Sequence, residues 1–306
     1  MANDHYVPRF HLRNFQIEER PGWIYSYKKG MKPKAMAIRS VASKDEYYTL
    51  KRKDVDVDRN FPDQFFQLLE TQAAPVIKRL LTAADINLTN GERVGLAWFM
   101  AALAQRTPWA RERLINLDKV LEIRRIKRIC ENKELFEEIA RKKEPEISPE
   151  ELEQMRQSIL DFENHLTLRH AGDVGDHFLA QAIVLSESLV PVFLMKQWML
   201  MECPTEQVFV TSDNPVILLP PANYRHGMPA GYLNWPIFFP LSPKRALKLS
   251  HLKGRGVVKV WGQDMDQMVG QTIVYGHKAV FSNVISEEFQ EIFDSVPEGE
   301  TTKAYV

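Results

Sequence analysis

The stretch VFVTSDNPVILL, residues 208–219, is where the chain changes its period. Two apolar runs, Val208 to Val210 and Val216 to Leu219, flank Ser212-Asp213-Asn214-Pro215. Short apolar runs bounded by Asp, Asn and Pro read as strands joined by a turn. Further strand-like runs follow at 236–240, 246–250, 257–261 and 279–282, with a helix expected over 263–277. Upstream the pattern is helical. Phe65, Leu68, Leu69, Ala73, Val76, Ile77, Leu80 and Leu81 repeat at helix spacing over 63–83. Thr89 and Glu92 form a capping box that opens the next helix. Thr107-Pro108 stops that helix, because the residue before a proline is pushed out of the α region. A third apolar helix is expected over 178–200, bent near Pro191. The first 50 residues carry aromatic-rich alternating runs at 6–15 and 23–27, read as strands, with a third strand expected over 41–50.

Residues 109–165 differ again. Arg124-Arg125, Lys127-Arg128 and Arg141-Lys142-Lys143 alternate with glutamates, and a narrow leucine seam runs between them. Ser148-Pro149-Glu150-Glu151 restarts a helix with an N-cap, a first-turn proline and a capping carboxylate. The expectation is an α+β fold in one domain spanning 1–306. A helical core packs on a mixed or antiparallel sheet built from N-terminal and C-terminal strands. A charged helical hairpin over 109–165 protrudes from it and can serve a homodimer or simply present solvated faces.

Composition limits the function. Forty basic and forty acidic residues cancel, so no bulk field draws in nucleic acid, although a local basic groove stays open. Cys130 and Cys203 are the only cysteines, which excludes a disulfide framework and disfavours a cysteine zinc site. The opening residues lack a basic and an apolar region, so no signal peptide is expected. The most apolar window, 182–201, is broken by Glu187, Pro191, Lys196 and Gln197 and reads as a buried helix rather than a bilayer span. The expected location is cytoplasmic, with no membrane partner.

Polar residues interrupt the apolar stripes in four places. His5 opens the chain beside Tyr6-Val7-Pro8 and can act as base or ligand, or rest on the surface. Glu70 lies in the row Phe66, Ala73, Ile77, where a carboxylate needs a cation, a metal or a proton. Gln105 and Arg106 end the stripes Val94–Trp98–Ala101 and Phe99–Ala102. Arg106 either bridges Glu70 or aims its planar fork at a substrate anion. Asp213 in the turn either caps backbone amides or faces a cleft. His170, Asp173, Asp176 and His177 offer a weak metal spacing, disfavoured by Gly172 and Gly175. Arg245 and His251 carry the arginine-then-histidine spacing of helical ribonucleases but fall in a strand-like stretch, so that match is discounted. No phosphate loop, dinucleotide fingerprint or Gly-x-Ser-x-Gly elbow occurs.

His5-Tyr6-Val7-Pro8-Arg9-Phe10-His11-Leu12-Arg13-Asn14-Phe15 resembles the opening signature of domain-of-unknown-function family 4238: His-x-x-Pro, an aromatic, a leucine-arginine pair and a phenylalanine. His11 stands where that signature often has an aromatic. Glu70, the Gln105-x-x-Pro108 segment, the 209–215 run and Phe239-Pro240-Leu241-Ser242-Pro243 also resemble family positions, while 109–165 carries no motif. Members of similar type sit among bacterial and phage-borne antiviral defence genes, so the resemblance implies a role in conflict with phage. It implies no reaction.

Two functional expectations follow. In the first, His5, Glu70, Arg106 and Asp213 converge as the catalytic group of a phosphodiester hydrolase acting on nucleic acid or a nucleotide. Gln105, Ser212, Asn214 and Arg13 contact the substrate, and the cofactor is unknown, a divalent metal being the open candidate. In the second, the same residues form a structural network in a non-catalytic sensor or interaction protein whose partner is a phage protein.

Overall fold

The computed structural model describes residues 3–51, 58, 60–161, 174–204, 206–220, 231–251 and 256–297. Their elements run β1 (Asn3–His5), α1 (Arg9–Arg13), β2 (Trp23–Lys28), β3 (Met31–Ala37), β4 (Ser43–Asp45), α2 (Phe61–Leu80) and α3 (Asn90–Gln105). Then come α4 (Pro108–Glu131), α5 (Lys133–Lys143), α6 (Pro149–Asp161), α7 (Val174–Met195), β5 (Gln197–Glu202), β6 (Thr211–Ser212) and β7 (Ile217–Leu218). The chain ends with β8 (Ile237–Ser242), β9 (Arg245–Ser250), β10 (Val257–Lys259), α8 (Gln263–Val274), β11 (Val280–Ser282) and α9 (Glu287–Ser295).

The fold is α+β. A four-stranded antiparallel sheet in the order β3-β2-β11-β6 joins strands from both ends of the sequence. A five-stranded sheet in the order β10-β5-β9-β8-β7 is antiparallel apart from the parallel pair β10–β5. β1 pairs with β4 in a small ribbon. The chain divides into two compact units, Met1–Arg111 with Gly175–Val306, and Glu112–Val174.

In the first unit one apolar cluster joins Tyr27, Phe209, Phe238, Ile273, Val280 and Phe293 across both larger sheets and α8 and α9. A second cluster packs Val7, Leu12 and Phe15 against Ile24 and Phe281, so the opening segment is part of the core. The second unit holds α5, α6 and most of α4 around a small cluster of Cys130, Phe136 and Leu152. The segment expected as a hairpin over 109–165 therefore contains three helices.

Local signals are met where they are strongest. The Thr89 side chain accepts from Glu92 N while Glu92 accepts from Thr89 N. Ser148 and Glu151 make the same exchange before α6. Three assignments differ. The run 6–15 is not a strand, because Pro8 precedes a helical turn that points His11 and Leu12 inward. The helix expected over 178–200 stops at Met195, and β5 follows, with Trp198 Nε1 donating to the Phe193 carbonyl at the junction. Val208 to Val210 lie before β6 rather than in it. α9, unexpected from sequence, is capped by Ser286. One helix, Gly175–Met195, is long and apolar enough to cross a membrane by length and composition, with mean hydropathy 1.8. The core helix of a soluble protein passes the same test, so it assigns no membrane role.

Gly276 links α8 to β11 in close contact. A methyl group there would lie 2.9 Å from Val280 Cγ2 and 3.1 Å from the Ile273 carbonyl. Gly276→Ala is expected to lower unfolding stability by about 1–3 kcal/mol, measured by urea denaturation, as overpacking does.

Candidate functional site

The site forms where α2, the end of α3 and the opening segment meet. On α2 the side chains of Phe66, Ala73 and Ile77 are buried, and Glu70 lies in the same row with its side chain 26% exposed. α3 ends at Gln105, and Arg106 is its capping residue, donating its backbone N–H to the Ala102 carbonyl. The Arg106 guanidinium is 1% exposed. Its Nη2 lies 2.7 Å from Glu70 Oε1, and its Nε donates to the Tyr6 carbonyl at 3.2 Å. The guanidinium carbon is 5.0 Å from the Phe66 ring centre and 5.8 Å from that of Tyr48, within cation–π range. Of the two roles the sequence left open, the geometry is that of the bridge. Arg106 holds Glu70 and the opening segment and is closed to a substrate anion.

The opening segment is tied down by further bonds. Asp4 Oδ2 accepts from Tyr48 N at 3.0 Å, and Tyr48 Oη donates to the His5 carbonyl at 3.4 Å. Tyr6 N donates to the Ala42 carbonyl. These bonds hold the opening segment so that His5 is half-buried, with Nε2 3.4 Å from the Ile38 carbonyl. Burial holds the His5 pKa below the usual imidazole range, and the charge of Arg9 adds to this, while the Ile38 carbonyl and Glu70 oppose it. The imidazole is therefore neutral near pH 7 and able to take up a proton.

Asp63 was missed in the sequence. It sits seven residues before Glu70, which on a helix is the same face. It is half-buried and accepts from Gln67 at 2.6 Å. Burial, then the charges of Asp4 and Glu70, hold its carboxyl above the usual range. Asp63 and Glu70 thus both lie in the field of one buried cation, Arg106, and Glu70 also acts on the His5 imidazole. Extending the row Ile77–Ala73–Glu70–Phe66 by one more turn would have found Asp63.

Asp213 is differently placed. It is 1% exposed, and it accepts from the backbone N–H groups of His277 (2.8 Å), Lys278 (2.8 Å) and Ala279 (3.2 Å). Burial pushes its carboxyl up, opposed by His277 and by those three amide bonds. Of the two readings of this turn, the structure shows the backbone cap. Ser212 Oγ donates to the Asn214 carbonyl, and Asn214 Nδ2 donates to the Tyr275 carbonyl. Both side chains are buried. The motif clamps β6 to the turn before β11. It also adjoins the site, since burial and the Asp213 charge raise the Tyr6 hydroxyl pKa.

Gln105 is buried, and Arg13 is exposed on α1. His11, also missed, is fully buried. It stacks on Phe239 with ring centres 5.0 Å apart and lies 3.1 Å from Thr211 Oγ1, tying α1 to β6. Asp176 accepts from Lys51 N, and His177 lies 2.7 Å from Gln181 Nε2, while His170 and Asp173 fall outside the described residues. Among the described residues no group of three His, Cys, Asp or Glu side chains is arranged to hold a metal ion. Arg245 pairs with Glu202 at 2.7 Å, and His251 lies 3.0 Å from Lys196 Nζ, so the two do not act together.

Two measurements check these assignments. In Asp213→Asn one amide nitrogen must face backbone donors, so a loss of about 2–4 kcal/mol is expected in chemical denaturation. Burial lowers His11 to a pKa of about 3. Because this lies below the unfolded value, the unfolded chain binds the proton first as pH falls. His11 therefore contributes its full stability above about pH 6.5 and loses it towards pH 3. The expected slope is up to about 1.4 kcal/mol per pH unit, and His11→Phe removes that component of the acid sensitivity.

Searches of curated proteins and of solved structures give no match. A family model described as a protein of unknown function, DUF4238, matches residues 3–255, which takes in the opening signature, Glu70, Arg106 and the 209–215 turn. With that much of its length matched, the chain belongs to the DUF4238 family.

Proposed function

We propose that the chain is a hydrolase acting on a nucleotide or nucleic acid, with His5 as the base and Glu70 and Asp63 as its carboxyl groups. One observation carries this reading: a partly exposed carboxylate is fixed by a fully buried arginine beside an imidazole that burial keeps neutral. A positioned base and an acid of raised pKa are what general acid–base catalysis needs. His5 takes a proton from the attacking water, Asp63 supplies one to the leaving group, and Glu70 orients the water. Arg106 is a positioning residue. Arg9 and Arg13 are exposed one helical turn apart on α1 and meet the substrate phosphate. The setting is antiviral defence in the cytoplasm, on the likeness of the motifs to those of defence genes.

A second reading is favoured by a different observation. Arg106 and Asp213 are sealed from solvent and bonded within the fold, Arg106 to Glu70 and the Tyr6 carbonyl and Asp213 to three backbone amides. That is the character of a structural network in a non-catalytic interaction protein.

The test assays the purified chain on single- and double-stranded DNA, RNA and nucleotides, with Mg²⁺ or Mn²⁺ and with chelator. His5→Ala is expected to lower the rate at least about 100-fold with little change in melting temperature. Glu70→Gln is expected to lower it similarly while also lowering the melting temperature, because the buried Arg106 guanidinium loses its counter-charge. Arg106→Ala is expected to cost about 1–3 kcal/mol of stability because it leaves the Tyr6 carbonyl and the partly exposed Glu70 without their donor. Absence of turnover on every substrate, or full rates in both site variants, overturns the hydrolase reading and leaves the second.

A further inference from the structure

We propose that the second unit, Glu112–Val174, is a self-association module in which the basic face of α4 from one copy fills an acidic depression on another. The two halves of the contact are both present. Glu144, Glu146 and Glu151 rim a depression of about 530 Å³ over Pro145, Ile147 and Met155, and Met155 is 42% exposed. On α4, Leu121, Arg124, Arg125 and Arg128 share one face by helical spacing, and all are exposed, Leu121 by 52%. One surface is an apolar floor with carboxylates around it. The other is an apolar knob with guanidinium groups around it, which pair with carboxylates in a planar fork.

Apart from Glu151, which caps α6, the charges on these surfaces are left over after the unit's own pairing. Arg141 pairs with Glu137 and Lys142 with Glu138, while Glu144 and Glu146 make no ion pair among the described residues. Arg124 and Arg128 likewise make none, and Arg125 has only an exposed contact of 3.4 Å to Glu122, worth little in water. Among the described residues the unit's buried core is small. Its buried apolar cluster there is Cys130, Phe136 and Leu152, with partly buried residues such as Ile126, Ile129 and Leu160 packed against it, and small units commonly gain stability by association. A second copy supplies both complementary surfaces at once, so a two-fold pair buries each of them twice. This inference is independent of the hydrolase reading.

The test is a charge exchange on the full chain, read by analytical ultracentrifugation at low salt. The wild type is expected to sediment as a dimer, and raising salt from about 0.05 M to about 0.5 M should weaken association at least about tenfold. Glu144→Arg with Glu146→Arg, and separately Arg124→Glu with Arg128→Glu, should each give monomers of unchanged helix content by circular dichroism. Glu151 is left intact because it caps α6. Mixing the two reversed chains should restore a one-to-one dimer. A wild-type monomer at low salt, a dimer indifferent to salt, or reversed chains that fail to recombine overturns the proposal. If either reversed chain misfolds, Glu144→Gln with Glu146→Gln and its salt series give the same decision.

Discussion

The guanidinium of Arg106 is the constraint on which the first unit depends. A buried cation is tolerable only when its charge and its donors are met, since removing it from water costs several kcal/mol before any pairing. Here the requirement is met from three separate parts of the sequence: Glu70 on α2, the Tyr6 carbonyl in the opening segment, and the rings of Tyr48 and Phe66. Satisfying one side chain therefore fixes where α3 ends, which face α2 turns inward, and how the chain begins. His5 and Asp63 owe their positions to this arrangement, being carried by the elements that Arg106 holds together.

The turn around Asp213 plays a comparable part for the sheets. Its carboxylate gathers three successive amides of the turn before β11, and Asn214 reaches the end of α8. His11 then joins α1 to β6 through Thr211. The residues that look most like catalytic groups in the sequence thus divide into those that hold the fold and those that face water. Asp213 and Arg106 belong to the first kind, and His5, Glu70 and Asp63 to the second.

What could be read from the sequence was local or periodic. Capping boxes at Thr89 and Ser148 and the break at Pro108 are decided within a few residues, and all three appear where expected. The pairing of Glu70 with Arg106 was visible because both interrupt apolar helical rows. The failures have equally specific causes. Residues 198–201 are apolar without a period, and only pairing with β9 and β10 makes them a strand. Around Phe10 the aromatic alternation suits a strand, yet Pro8 and the burial of Leu12 select a helical turn. That Asp213 could cap backbone amides was legible, but which amides was hidden, because they lie 64 to 66 residues away and no side-chain pattern reports them.

The order β3-β2-β11-β6 has a consequence for biosynthesis. β2 and β3 emerge early as a hairpin, but the neighbour that completes β2 is β11, which lies near the other end of the described chain. Such distant pairing makes folding slow and leaves a strand edge open until β11 has been made. The segment bearing His5 packs on this same late-closing sheet through Leu12, Phe15 and Phe281. A chain cut before β11 therefore lacks an assembled site, because the sheet on which the opening segment rests has not yet closed.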